Sequence, residues 1–239
     1  MHRSLEELAE SPVSGARVWL AELTRLTSAE LRELQAALAP GEAARADRFH
    51  FEKDRQRFIA ARGLLRFLLG EELGQNPAEL VFAQGEHGKP RLVNADETMP
   101  ALDFNVSHSA GWAMIALAYG RRVGIDLEAG ERLEPDDGNL SALAARIMSA
   151  GELEFWRALP DAPARRAGFL RAWTRKEAYS KAIGKGFSAD FAQVEIALDA
   201  TDSCLFTGRG GLTSRWLIRD LAAPLNFHAA LAIEQRVAE

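Results

Sequence analysis

The chain has almost no cysteine and very little lysine. Cys204 is the sole cysteine among 239 residues, so no internal disulfide can form and an oxidising compartment is not suggested. Nowhere does an apolar run reach the roughly 18 residues that a membrane-spanning helix needs, so no membrane partner is expected. The opening residues, MHRSLEELAESP, are charged and lack the apolar core of an export signal, so a cytoplasmic location is expected. A net charge of −5 leaves no general basic excess for nucleic acid, while local basic patches for a small polyanion stay open. With 47% apolar and 26% charged residues, the chain can bury a full core, in one domain or two small ones. Only five lysines stand against twenty-four arginines, and they are not spread evenly.

Phe169 to Gly186, FLRAWTRKEAYSKAIGKG, holds three of the five, Lys176, Lys181 and Lys185. A compact, rotatable ammonium suits a phosphate oxygen or a developing charge better than the planar fork the chain uses elsewhere. Ala, Leu, Arg, Lys and Glu dominate as far as Ile183, without proline, which predicts a helix. At about 100° per residue, Phe169, Ala172, Trp173, Tyr179, Ala182 and Ile183 form an apolar arc. Glu177 and Lys181 lie one turn apart at its edge, and Lys176 falls inside it, where an unpaired ammonium is costly. Gly184 and Gly186 then end the helix. From these residues alone, a core helix with a Glu–Lys pair on its rim and a phosphate-handling helix are equally open.

Val123-Gly-Ile-Asp-Leu-Glu128 alternates as a strand, with Val123, Ile125 and Leu127 on the buried face and Gly124, Asp126 and Glu128 on the other. Residues two apart on a strand have Cα atoms about 6.6–6.8 Å apart, close enough for both carboxylates to hold one cation. Oxygen-only ligands suit Mg²⁺, which leaves positions for phosphate and water. D-x-E on a strand is also common without a metal.

Together, GIDLE followed by F-x-x-x-W-x-x-K-E-A-x-x-K-x-x-G-x-G resembles the signature of the 4'-phosphopantetheinyl transferases. These enzymes move the phosphopantetheine arm of coenzyme A onto a carrier-protein serine. Gly88-Lys-Pro-Arg91 is similar to the family's G-K-P segment and Phe104-Asn-Val-Ser-His-Ser109 to its N-h-S-H-S segment. Asp47 to Arg66, DRFHFEKDRQRFIAARGLLR, is similar to the arginine-bearing helix of the longer members. The resemblance implies Mg²⁺ held by Asp126, Glu128 and Glu177 against the pyrophosphate of coenzyme A, the co-substrate. Three carboxylates without a cation would repel one another. It also implies attack by the carrier serine on the phosphorus bonded to pantetheine, with 3',5'-ADP leaving. Lys181, with Lys176, would offset charge on the phosphoryl oxygens. Glu177 and a hydroxide on the metal both remain open as the base.

For the nucleotide, the resemblance implies Arg57 as holder of the 3'-phosphate and Arg45 as a second candidate. Lys89 and Pro90 would lie along the nucleotide, and Ser107 and His108 would meet phosphate or nucleotide. Where some relatives carry another basic residue one turn before Arg45, this chain has Glu42. The longer, surfactin-type members have two similar halves, each a small antiparallel sheet with a long helix. An α+β fold of that kind is therefore expected, with halves at residues 1–122 and 123–239 and the site in the cleft between them. The expected assembly is a monomer, and the expected partners are coenzyme A and an apo acyl or peptidyl carrier protein. The alternatives are a metal-dependent hydrolase of another pyrophosphate and a non-catalytic module binding coenzyme A or a carrier protein. Ser107 and His108 make no hydrolytic pair, because chain neighbours rarely point at each other and no G-x-S-x-G elbow is present.

Elsewhere, Ala16 to Leu23 predicts a strand, and Ser28 caps a helix stopped by Pro40-Gly41. Glu42 to about Leu69 predicts a long helix with a break near Phe49 to Phe51. Gln84 to Leu92 reads as a turn entering a short strand. Leu102 to Val106 and Trp112 to Tyr119 predict a hairpin with Ser107-His108-Ser109 in its turn. Ser149 and Glu152 form a capping box opening the next helix. Strands follow at Val194 to Leu198, Trp216 to Asp220 and Phe227 to Ile233, the last echoing Trp112 to Ala118 in pattern. If Arg57 reads a phosphate remote from the reacting phosphorus, Arg57→Ala should raise KM for coenzyme A with little change in kcat. Steady-state kinetics with coenzyme A lacking its 3'-phosphate should then no longer separate variant from wild type; an equal response to both substrates would show that Arg57 does not read that phosphate.

Overall fold

Period-two patterning builds two four-stranded antiparallel sheets. The first runs in the order β1 (Glu6–Glu7), β2 (Ala16–Glu22), β6 (Trp112–Tyr119), β5 (Leu102–Ser109). The second runs β7 (Val123–Ala129), β10 (Phe227–Gln235), β9 (Leu212–Asp220), β8 (Asp202–Arg209). A two-stranded ribbon pairs β3 (Val81–Gln84) with β4 (Pro90–Val93). Among the described residues six helices connect them: α1 (Ser28–Ala36), α2 (Pro40–Ala46), α3 (Glu52–Leu73), α4 (Asp137–Ile147), α5 (Ala150–Arg157) and α6 (Ala162–Ile183). This computed structural model describes residues 5–8, 15–85, 88–93, 101–130, 137–185, 191–200, 202–209 and 212–235. Gly186 and the polar stretch at 131–136 lie outside them.

The layers follow from which face of each strand is apolar. Trp19, Phe104, Ile115 and Leu117 of the first sheet pack under Ile59, Leu64 and Leu65 of α3. Its opposite face, with Val18, Met114 and Ala116, meets Ile125, Leu127, Leu231 and Ile233 of the second sheet. The remaining face of that sheet, with Trp216, Ile218, Ala230 and Ala232, carries Ala178, Tyr179 and Ala182 of α6. The order is helix, sheet, sheet, helix, a mixed architecture with antiparallel sheets. Among the described residues no helix is long and apolar enough to cross a membrane.

Three local expectations are corrected. The cap of α1 is Thr27, not Ser28, since Thr27 and Glu30 exchange both capping-box bonds. Ser107-His108-Ser109 is strand, not turn: Ser109 pairs with Trp112, and the turn is Ala110-Gly111, both at positive φ. Val194 to Leu198 is no strand. Its backbone is held by side chains instead, Lys176 and Arg175 donating to Val194 O and Ala197 O, Arg171 to Leu198 O, and Ile196 N–H donating to Glu152. The expected break near Phe49 is present, between α2 and α3.

One glycine sets how closely α6 approaches β7. A Cβ on Gly124 would stand 2.1 Å from Ala178 O and 2.4 Å from Ala182 N, so the helix lies directly on the strand backbone there. Gly124→Ala must push two backbones apart, and a loss of about 1–3 kcal/mol or more is expected from such overpacking. Chemical denaturation measures it; a midpoint equal to wild type would mean that α6 does not lie this close.

Candidate active site

Where the two facing sheets come together, their edge strands meet without sharing a backbone ladder. β5 and β7 run alongside each other, and polar side chains at alternate positions of β5 bond to the N–H groups of β7. Asp103 Oδ2 accepts from Val123 N at 2.7 Å and Asn105 Oδ1 from Ile125 N at 3.0 Å. Ser107 Oγ accepts from Leu127 N at 3.2 Å and Ser109 Oγ from Ala129 N at 3.1 Å. Each rung joins residues twenty apart, so the register is fixed along the whole seam. Lys89 also donates to Asp103 and to Val123 O at the first rung.

The acidic cluster forms where this seam passes beneath α6. The serines of β5 also donate to the acids of β7, Ser107 Oγ to Asp126 Oδ1 at 2.9 Å and Ser109 Oγ to Glu128 Oε2 at 3.2 Å. From α6, Lys181 Nζ reaches Asp126 Oδ1 at 2.6 Å, Ser107 Oγ at 3.0 Å and Ile125 O at 3.3 Å. Lys181 thus pairs across to β7, which replaces the pairing with Glu177 along the helix rim. Glu177, one turn earlier, is buried beside the same acids. Asp126 Oδ2 and Glu177 Oε1 are both buried without a hydrogen-bond partner. Burial first, and then the negative charge of Asp126, push the Glu177 carboxyl up to about 7, against the opposing pull of Lys181. Burial likewise raises Asp126, with Lys181 working against it. Among the described residues no three His, Cys, Asp or Glu side chains converge closely enough to hold a metal ion as they stand.

A family model described as the 4'-phosphopantetheinyl transferase superfamily matches residues 122–232, and one for the N-terminal part of 4'-phosphopantetheinyl transferase matches residues 25–119. The 4'-phosphopantetheinyl transferase HetI of a Nostoc species is 39% identical over 204 residues, covering 85% of this chain and 81% of that protein. The chain belongs to the 4'-phosphopantetheinyl transferase superfamily. A putative 4'-phosphopantetheinyl transferase of Synechocystis is 37% identical over 83% of this chain and 80% of its own. The 4'-phosphopantetheinyl transferase of Bacillus subtilis is 28% identical over 72% of each.

In this transferase, Ser107, Asp126, Glu128, Glu177 and Lys181 are brought together, and the other candidates lie elsewhere. Arg45 and Pro90 line a cleft of about 790 Å³ with Arg48 and Arg62. Lys89 and Pro90 line a smaller one of about 320 Å³ with Arg91, Arg122 and Lys185. Arg57 lies beside the β5–β6 turn, one of its nitrogens 3.8 Å from where a Gly111 Cβ would stand. His108 is exposed on the strand face opposite Ser107, by simple alternation. Lys176 is a correction. Its side chain is fully buried away from the acids and bonds Glu152 Oε2 at 2.7 Å, Phe191 O and Val194 O. Glu42, the acid where a base stands in some relatives, is bound by Arg62 and by Arg66 at 2.6 Å.

Sequence reasoning missed Ser109, which holds Glu128, and the seam residues Asp103 and Asn105. The signal was present: polar residues at every second position of an otherwise apolar strand have to find partners on a buried face. The raised Glu177 pKa fixes a pH dependence. Unfolded, this group titrates near its ordinary 4.5, so between 4.5 and about 7 the folded form binds more protons. Metal-free protein should therefore lose stability as pH rises through that window. Denaturation midpoints of wild type should fall relative to Glu177→Gln over the same range; parallel curves would mean that the carboxyl titrates normally.

Proposed function

We propose that this transferase moves the 4'-phosphopantetheine arm of coenzyme A to a carrier-protein serine with the help of Mg²⁺ held by Asp126, Glu128 and Glu177. The observation that carries the metal is the pair of orphaned oxygens, Asp126 Oδ2 and Glu177 Oε1, in one buried acidic cluster. Unpartnered buried carboxylate oxygens are costly, and a hard divalent cation bound through oxygen would complete them. When bound, the ion would neutralise charge on the pyrophosphate of coenzyme A. Lys181 adds a positive charge at the same place, suited to the phosphoryl oxygens as the bond to 3',5'-ADP breaks. Glu177 lies in the same cluster to accept the serine proton; its pKa of about 7 belongs to the metal-free site, and a bound cation would favour the ionised carboxylate that a base needs.

The nucleotide end of coenzyme A fits the basic surface beyond the seam. Arg45, Arg48 and Arg62 line the larger cleft, and Pro90 links it to the smaller one. Arg57 is the proposed 3'-phosphate holder, with His108 on the neighbouring strand end. Glu42 also lines the larger cleft and is paired with Arg62 and Arg66, which leaves Arg45 and Arg48 to carry most of the positive charge there.

The same reading takes residues 1–122 and 123–239 as two similar halves with the site in the cleft between them. In support, β2, α3, β5, β6 and β7, α6, β9, β10 follow one order of strand, helix and hairpin, and in each the last strand pairs back to the first. A single chain then supplies the whole cluster, Ser107 from one half and Asp126 and Lys181 from the other, and a cytoplasmic monomer suffices.

Mass spectrometry of an apo carrier protein incubated with enzyme, coenzyme A and Mg²⁺ tests the activity. The expected gain is one phosphopantetheine; hydrolysed coenzyme A with an unchanged carrier, or binding alone, would favour the two alternatives. Lys181→Ala should lower kcat by about 10²–10³, as loss of a charge-stabilising donor does. A kcat within about threefold of wild type, well short of the ~1.4 kcal/mol that marks tenfold, would return Lys181 to a purely structural pairing with Asp126.

A further inference from the structure

Two buried cations in this chain do the same job with the same geometry. On α3, Arg66 stands eight residues before Gly74, which closes that helix in the left-handed conformation. On α6, Lys176 stands eight residues before Gly184, which does the same there. Arg66 donates to Pro77 O and Leu80 O, the first residue of a short 3-10 turn and the residue just after it. Lys176 donates to Phe191 O and Val194 O, again the first residue of a 3-10 turn and the residue just after it. Each cation also pairs with an acid on a separate short helix: Arg66 with Glu42 of α2, and Lys176 with Glu152 of α5.

Those two acids are equivalent as well. Glu42 and Glu152 are the third residues of their helices, and each accepts from the backbone N–H at its own helix cap, Ala39 and Ser149. Glu152 further accepts from Ile196 N at 2.7 Å. Each device therefore ties a long helix, a short capped helix and the segment after the long helix into one unit. Lys176 is fully buried, so it is not placed to meet a ligand.

We propose that Lys176 is a positioning residue: with Glu152 it forms a strut that fixes the rotation of α6 and so aims Glu177 into the acidic cluster. Lys176 and Glu177 are adjacent on the helix, about 100° apart around its axis. Lys176 is locked towards α5 and the 191–194 turn, which directs Glu177 towards β7. A small rotation of α6 would carry Glu177 and Lys181 together out of register with Asp126. The other long helix has the strut without the site residues: next after Arg66, α3 carries Phe67 where α6 has Glu177, and one turn further on Glu71 where α6 has Lys181. The strut is thus a feature of how these helices are seated, and the chemistry is added to one of them. This proposal rests on the reading that Glu177 belongs to the active site.

The test compares Lys176→Met, Glu152→Gln/Lys176→Met and Glu177→Ala in the full-length enzyme, with rates normalised to folded protein and denaturation midpoints measured alongside. Lys176→Met leaves the Glu152 carboxylate buried without its cation. It should lower kcat by about 10- to 100-fold, as loss of a supporting residue does, with KM for coenzyme A nearly unchanged. Adding Glu152→Gln removes that charge; Ser149 N and Ile196 N donate to different oxygens of Glu152, so the single amide oxygen keeps one of the two bonds. The double variant should therefore recover part of the lost kcat and midpoint relative to Lys176→Met. A raised KM for coenzyme A with kcat kept would place Lys176 on the substrate and overturn the proposal. So would a lowered midpoint with wild-type kcat, which makes the strut structural only, or a double variant no better than Lys176→Met. Glu177→Ala separates the two levels of the argument. If it retains activity, the assignment of Glu177 to the site has failed; if it is inactive while Lys176→Met is not, only the strut has.

Discussion

Side-chain hydrogen bonds between β5 and β7 hold the molecule in its working arrangement. A strand edge with buried, unpaired N–H groups costs free energy at every residue. Here Asp103, Asn105, Ser107 and Ser109 meet the N–H groups of Val123, Ile125, Leu127 and Ala129 in turn. The same serines donate to Asp126 and Glu128, so satisfying the backbone and orienting the acids are one operation. With the sheets joined in this way, Gly124 lets α6 settle directly onto β7 and bring Glu177 and Lys181 over the acids.

The scarcity of lysine acquires a physical meaning at this junction. An ammonium has three donors radiating from one atom, and Lys181 directs bonds to three acceptors: Asp126, Ser107 and Ile125 O. Lys176 does the same with Glu152, Phe191 O and Val194 O. Arginine serves where acceptors are spread out: Arg175 spans Asp220, Ala197 O and Ala200 O, and Arg171 spans Asp220 and Leu198 O. Acceptor shape does not decide every case, since Arg66 on α3 serves the same kind of acceptor set that Lys176 serves on α6. Among the described residues, only at Lys181 does that point charge sit beside orphaned carboxylate oxygens, which is the difference between seating a helix and preparing a site.

Much of this was legible in the sequence. Helix α6, strand β7 and the carboxylates Asp126 and Glu128 followed from local periodicity, and the motif order pointed to the family. What was not legible depended on distant partners. The arc of α6 marked Lys176 as an ammonium needing a partner, but Glu152 lies on a separate helix and no spacing rule connects them. Val194 to Leu198 looked like a strand because it is apolar at alternate positions; side chains of α5 and α6 took up its backbone groups first. Ser107-His108-Ser109 looked like a turn because serine favours turns, yet a two-residue turn at Ala110-Gly111 left those serines in the ladder. In each case the local preference was real and a long-range hydrogen bond outweighed it.

The constant twenty-residue spacing of the seam ties residues 103–129 into a single block of fixed length. One residue inserted within β5 would bring Phe104, Val106 and His108 towards β7 in place of the polar side chains, and two of those three can accept nothing. Point substitutions inside the block can be absorbed rung by rung, whereas changes of length shift every rung at once. Lineages of this chain should therefore gain and lose residues outside the block, while the tight connections at 110–111 and 120–122 keep its phase.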